Sequence, residues 1–247
     1  MSEQGTARRS TWLRCYFPRP GAELRLVCFP HAGGSAPFFR AWQQEISESV
    51  EVHAVAYPGR AERFTEPLVE DAPLMVAELA GELEALRDKP IALFGHSMGA
   101  FIAYETAQTV GGIAHLFLSG ANAPHLRSGF PTLLDPDDEV LVRNITSLGG
   151  SASEILADPE IRELVVPALR SDLQLAEGYV DGHSGKLSCP ITALLGTEDD
   201  RTRLDSVRGW AEYTTGPFAL REYQGDHFYL EEHRADLLTE LAATLTG

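Results

Sequence analysis

The stretch Ile91-Ala92-Leu93-Phe94-Gly95-His96-Ser97-Met98-Gly99-Ala100 decides the fold. Its first four residues are an unbroken apolar run of strand length, and residues 100–110 (AFIAYETAQTV) read as a helix. Between them the GxSxG pentapeptide stands on a strand-to-helix turn. Such a turn is tight: flanking glycines let strand and helix approach, and the serine is forced into a strained conformation with its hydroxyl above the sheet. The helix then aims its N-terminal amides at the same point, which suits a developing oxyanion. The pentapeptide fixes only three positions, so its weight comes from the strand before it and the helix after it.

Outward from this turn, residues 24–29 (LRLVCF) and 50–55 (VEVHAV) are strands stopped by Pro30 and by Tyr57-Pro58-Gly59, expected to be neighbours in one sheet. Residues 36–47, between them, have room for about three helical turns. Residues 71–86 predict an amphipathic helix: Asp71 caps it, Pro73 sits in its first turn, and Met75, Val76, Leu79, Leu83 and Leu86 recur at helical spacing. Residues 115–118, 191–195 and 218–223 are further strands, the last followed by a helix carrying Leu237, Leu238, Leu241 and Leu245. Buried strands alternating with helices predict an α/β fold, a mostly parallel sheet covered by helices on both faces.

Residues 122–188 break the alternation, with helical patterns and no convincing strand. Leu133-Leu134 with Val140-Leu141, Leu164-Val165 with Leu169, and Leu173 with Leu175 read as amphipathic helices separated by Gly149-Gly150 and Asp158-Pro159. A crossover needs far fewer residues, so a helical insertion is the simplest account. Residues 1–247 are expected to form one domain that contains it.

A chain of 247 residues, 44% hydrophobic and 23% charged, is ordinary globular composition and excludes disorder, collagen and coiled coil. It can bury a core without a disulfide or metal staple. Cys15, Cys28 and Cys189 are odd in number and share no short spacing, which implies a reducing compartment and no structural zinc. The net charge of −16 opposes binding to nucleic acid or to an anionic membrane. Residues 1–40 are nevertheless +4, through Arg8, Arg9, Arg14, Arg19, Arg25 and Arg40. Scattered surface arginines are the simpler reading than a docking patch for an acidic partner, which Arg60 and Arg63 would extend. The N-terminus leads into no apolar signal segment, and no stretch approaches the ~18 apolar residues that span a bilayer. A cytoplasmic location is expected.

A serine hydroxyl needs a base, and the base an orienting acid. Among eight histidines, His53 and His115 belong to strands, His96 would point away from its neighbour's hydroxyl, and His233 starts a helix. His227 differs: it lies in Gln224-Gly225-Asp226-His227-Phe228, a loop after the last strand, where such sheets assemble their sites. The acid is expected after the preceding strand, in Gly196-Thr197-Glu198-Asp199-Asp200, with Asp199 favoured among three adjacent carboxylates. The order serine, acid, histidine is that of an α/β-hydrolase. The second oxyanion donor is expected on the loop after an early strand, Pro30-His31-Ala32-Gly33-Gly34, making the Ala32 and Met98 amides the candidates. A phosphate-cradling loop competes for this stretch, but neither GxGxxG nor GK[ST] is present. No metal or cofactor is implied.

The chain resembles the stand-alone type II thioesterases that accompany polyketide synthases and nonribosomal peptide synthetases. The resemblance rests on CFPHAGGSA (28–36), YPGR (57–60), FGHSMGA (94–100), ITALLGTED (191–199), WAEYTTGPF (210–218) and GDHFYL (225–230), spread over nearly the whole chain. It implies an α/β-hydrolase fold with a helical lid, here residues 122–188, with Ser97 as nucleophile, His227 as base, Asp199 as acid, and the Ala32 and Met98 amides as oxyanion hole. It further implies hydrolysis of acyl groups held on the phosphopantetheine arm of an acyl or peptidyl carrier protein, in a monomer. Two departures stand out: Asp200 where the family often has proline, and Asp226 where it has a second glycine before the histidine. Each adds a carboxylate expected to raise the histidine's pKa. A free-standing enzyme is expected over a domain fused to a synthase, since Met1 precedes the first strand by about 23 residues without a carrier domain.

Two other readings compete. A free carboxylesterase or acyl-CoA hydrolase would use the same triad, and a non-catalytic binding protein of this fold would not need it intact.

Overall fold

The computed structural model describes residues 11–247. Among these, seven strands form one sheet: β1 (Leu13–Arg14), β2 (Leu24–Phe29), β3 (Val50–Val55), β4 (Ile91–His96), β5 (His115–Ser119), β6 (Ile191–Gly196) and β7 (Phe218–Tyr223). Their order is β1-β3-β2-β4-β5-β6-β7. All neighbours from β3 to β7 pair in parallel, while β1 runs antiparallel to β3, with Leu13 opposite Val55. Two residues carry too little pattern for β1 to be legible in sequence.

The helices follow in chain order. A 3₁₀ turn at Ala36–Phe39 leads into α1 (Arg40–Glu45), so the three turns expected over 36–47 are split. Pro37 starts the turn and Phe38 N–H bonds back to Ser35, the tighter i+3 spacing. In α2 (Ala72–Glu84), the Asp71 carboxylate accepts from Leu74 N–H, as its capping role requires. α3 (Met98–Val110) begins directly after Ser97. Both faces of the central strands are buried and their side chains alternate. Val27, Phe29 and Leu93 pack with α2 and α3 on one side; Leu26, Cys28 and Phe94 pack on the other with Trp42 of α1 and with Leu237, Leu238 and Leu241.

Between β5 and β6 lie α4 (Asp138–Thr146), α5 (Ala152–Ala157) and α6 (Pro159–Gly178). Leu141, Ile145, Leu156, Val166, Leu169 and Leu173 give this insertion a core of its own. The leucines from 164 to 175, expected in separate pieces, share α6, which continues through Pro167. Leu133 and Leu134 are not helical: Pro131 and Pro136 flank them, and Leu133 N–H is held by the Glu177 carboxylate at 2.6 Å. After β6 come α7 (Leu204–Arg208), then, beyond β7, α8 (Tyr229–Glu232) and α9 (Arg234–Thr246), the last carrying the three leucines named above. Among the described residues no helix is long and apolar enough to cross a membrane.

Of the arginines considered for a docking patch, Arg19, Arg25, Arg60 and Arg63 are held in contacts within the chain. Arg25, near the amino end of β2, pairs with Glu51 at 3.0 Å and with Asp88, and Arg19 hydrogen-bonds the carbonyls of Ile46, Ser47 and Val50. This is the amino end of the strands, remote from Ser97, which follows a strand's carboxyl end. Arg60 and Arg63 are buried, the latter bound to Glu66 and lying over the Trp12 ring. Arg8 and Arg9 lie outside the described residues.

Candidate active site

Ser97 joins β4 to α3 with φ 56° and ψ −118°, a conformation that costs a non-glycine residue about 1–3 kcal/mol. Its neighbours enforce it. A Cβ on Gly95 would lie 2.2 Å from the Gly99 carbonyl oxygen, and one on Gly99 would lie 2.1 Å from that of Phe29. Strand, turn and helix therefore stack backbone on backbone, which only glycine permits. Ser97 N–H donates to Ser119 O of β5 at 2.8 Å, fixing the turn to the neighbouring strand.

Asp199 lies in the turn after β6, and its carboxylate is fully engaged. Oδ1 accepts from Arg201 N–H at 2.8 Å; Oδ2 accepts from the Thr202 hydroxyl at 3.1 Å and from His227 at 2.7 Å. Burial pushes this carboxyl up, but His227's charge and hydrogen bond, with the Arg201 and Thr202 donors, hold it below the ordinary value. An ionised carboxylate can only accept, so His227 Nδ1 carries the proton and Nε2 is left as the basic nitrogen. Asn122 braces the acid's turn by donating to Arg201 O at 2.8 Å and accepting from Arg203 N–H at 3.1 Å.

Ala32, Ser97, Met98 and His227 line one cavity of about 110 Å³, and Leu133 and Leu173 of the insertion line it too. Met98 is the first residue of α3, so its N–H has no acceptor within the helix. Among the described residues, Ala32 N–H makes no backbone hydrogen bond. All five residues singled out in sequence thus come together, with Asp199 behind the His227 ring. The two extra carboxylates stand aside: Asp226 accepts from Phe228 N–H at 2.7 Å, Asp200 is exposed, and neither hydrogen-bonds to His227.

Two features escaped sequence reading. His96 is a buried core histidine, and its ring lies 4.9 Å from that of His227. Its Nδ1 lies 2.9 Å from Ser119 Oγ, itself 2.6 Å from the Tyr229 hydroxyl, and burial keeps the imidazole neutral by pulling its pKa far down. Gly120, at φ +60°, is the floor beneath both rings: a Cβ there would meet His96 Cε1 at 2.7 Å and His227 Cε1 at 3.2 Å. Its position directly after an apolar strand was the available signal.

Residues 24–245 match the thioesterase domain family. The chain belongs to that family. This thioesterase is 39% identical over 239 residues to Thioesterase PikA5 of Streptomyces venezuelae, an alignment covering 94% of this chain and 84% of PikA5. Its fold superposes with a TM-score of 0.87 on the type II thioesterase BorB from the borrelidin biosynthetic cluster, at 38% identity and covering 95% and 97% of the two chains. On YbtT, the type II thioesterase from the yersiniabactin NRPS/PKS pathway, the TM-score is 0.82 at 30% identity, covering 94% and 97%. The resemblance read from the motifs and the α/β-hydrolase fold class are borne out, and the thioesterase is a thioester hydrolase.

Proposed function

We propose that this thioesterase hydrolyses acyl groups from the phosphopantetheine arm of acyl or peptidyl carrier proteins, clearing stalled or aberrant units in polyketide or nonribosomal peptide biosynthesis. The pathway class is supported by the names of BorB and YbtT. The observation that carries the chemistry is the convergence on one cavity of the strained Ser97 and of His227 oriented by Asp199.

In this reading Ser97 Oγ attacks the thioester carbonyl carbon and passes its proton to His227 Nε2. The carbonyl electron pair moves onto oxygen, where the Ala32 and Met98 amides receive it; one such donor is worth about 10²- to 10³-fold in kcat. Collapse breaks the C–S bond, and His227 returns its proton to the departing pantetheine sulfur. Water then attacks the acyl-enzyme, again losing its proton to His227, and the second collapse frees the carboxylic acid and Ser97. Asp199 stays ionised throughout, holding the tautomer and facing the imidazolium.

The helical insertion acts as a lid in this reading, since its residues line the same cavity as Ser97. Hydrolysis of one acyl group presented on a carrier protein, a short pantetheine mimic, CoA and a simple ester is the test. The expected order of kcat/KM places the carrier first. Equal or better turnover of the simple ester would replace this reading by a free carboxylesterase.

A further inference from the structure

The YPGR stretch at residues 57–60 takes no part in the chemistry above, yet it converges on the loop that carries Ala32. Arg60 is buried, and its guanidinium grips Asp172 of α6 with both terminal nitrogens, one at 2.8 Å from Oδ1 and the other against Oδ2. Asp172 is 1% exposed, and the same Oδ2 accepts from Gly33 N–H at 2.7 Å. Arg60 also reaches the Gly34 carbonyl at 3.4 Å, and the Tyr57 hydroxyl donates to the Pro30 carbonyl at 3.3 Å. The Leu169 side chain, one turn before Asp172, covers Gly33. Pro30, Gly33 and Gly34 are therefore each held, on either side of Ala32.

Two of these anchors, from Arg60 and Tyr57, belong to the core, but Leu169 and the carboxylate that joins Gly33 to Arg60 come from the insertion. If α6 lifts away, Asp172 leaves both the arginine fork and the Gly33 amide, and the buried Arg60 loses its carboxylate partner. The loop loses its Gly33 anchor in the same movement. We infer that Asp172 and Arg60 are positioning residues that assemble the oxyanion hole only when α6 is seated, so that the insertion's closure switches on the Ala32 amide as well as covering the substrate. The inference rests on the serine-hydrolase reading above, with Ala32 N–H as an oxyanion donor.

The relevant quantity is stabilisation of the oxyanion, not substrate binding. Asp172→Ala is expected to lower kcat on a small pantetheine thioester by about ten- to a hundredfold, with KM changed less than about threefold. An acyl trifluoromethyl ketone, whose carbonyl oxygen becomes an oxyanion when a serine adds to it, should lose affinity by the same factor. A non-electrophilic amide of the same acyl group should bind as before. Arg60→Lys keeps a cation beside Asp172 while losing the fork; it provides a second, milder variant with the same split. Leu141→Ala loosens the insertion's own core without touching the tie, and should lower Tm yet leave kcat within about twofold of the parent.

If Leu141→Ala loses kcat in proportion to its Tm as the tie variants do, or if the folded tie variants keep full kcat and ketone affinity, the inference is overturned. Ser97→Ala, assayed alongside, separates this from failure of the underlying reading. Wild-type turnover in Ser97→Ala refutes the serine mechanism, whereas its inactivity beside a fully active Asp172→Ala refutes only the coupling.

Discussion

Asp199 and His227, 28 positions apart in sequence, meet through a 2.7 Å hydrogen bond in which the aspartate side chain has no exposed surface. The carboxylate thereby selects one imidazole tautomer and stays ionised at neutral pH. Asp199→Asn offers an amide that can donate to Nδ1, favouring the tautomer in which Nε2 is protonated and cannot take the serine's proton. A loss of about 10³- to 10⁴-fold in kcat is expected. Asp200→Asn and Asp226→Asn should stay within about threefold, because the first is exposed and the second is spent on Phe228 N–H. Steady-state kinetics of the three variants decide the matter, and a large loss confined to Asp200 or Asp226 would move the acid there.

Strain and reactivity at Ser97 can be separated by two substitutions. Ser97→Ala removes the nucleophile but keeps a Cβ at φ 56°, so Tm should stay near that of the parent while hydrolysis is lost. Ser97→Gly also abolishes hydrolysis but relieves the backbone. Against the entropy that glycine adds to the unfolded chain, a net gain of about 1 kcal/mol is expected, or about 2–4 °C in Tm. Calorimetry showing Ser97→Gly melting below Ser97→Ala would contradict the assignment of strain.

The central strands and the elbow were legible because they are local: apolar runs, a glycine on either side of the serine, and loops placed after strand ends. The meeting of Ser97 with His227 at one cavity, and of His227 with Asp199, followed because chain order in this fold is fixed by topology. What sequence hid depends on contacts across the sheet. Arg60 and Asp172 look like ordinary surface charges 112 positions apart, and only the docking of α6 on the loop after β2 makes them a buried pair. Gly120 signals in sequence only its place at a strand's end and not the two rings it meets, and Leu133-Leu134 imitate a helix that their flanking prolines forbid.

Gly120 sets the distance between the sheet and the His227 ring. In Gly120→Ala the new methyl would press on His96 and His227, and the positive φ adds strain of its own. The His227 ring is expected to shift by a few tenths of an ångström and kcat to fall by about tenfold or more, with KM little changed. A variant with parental kcat would show that the rings adjust freely.

Acid should destabilise the fold through its buried neutral histidines. Burial lowers the pKa of His115 to about 4 and that of His31 to about 3, from an ordinary value of 6.5; His227 and Arg60 lower His31 further. His96 is driven down in the same direction. As pH falls through 6.5 the unfolded chain takes up these protons before the folded one does, so the stability present above pH 6.5 drains away toward pH 4 and 3. Each group contributes a slope of about 1.4 kcal/mol per pH unit within its window. Urea midpoints measured at pH 7.5, 6.0 and 5.0 should fall in sequence, and His115→Gln should flatten the decline. A flat profile, or one unchanged by His115→Gln, would refute this account.

Arg25 should matter to stability and not to substrate encounter. Arg25 holds Glu51 at 3.0 Å, and these side chains are only 12% and 8% exposed; Arg25 also reaches Asp88. Glu51 further accepts from Arg19 N–H and lies 3.1 Å from His53, so one carboxylate ties β3 to the chain before β2. Reversing the charge in Arg25→Glu leaves Glu51 facing a like charge in a largely dry setting, an expected cost of about 3–5 kcal/mol. The pair lies at the amino end of the strands, whereas Ser97 and His227 lie beyond their carboxyl ends. A carrier protein delivering its arm to Ser97 would therefore not meet Arg25, and KM for acyl-carrier protein in Arg25→Glu is expected to stay within about twofold of the parent at low and high salt. A selective rise in that KM, abolished by salt and absent for a pantetheine thioester, would instead return the docking face to this end of the sheet.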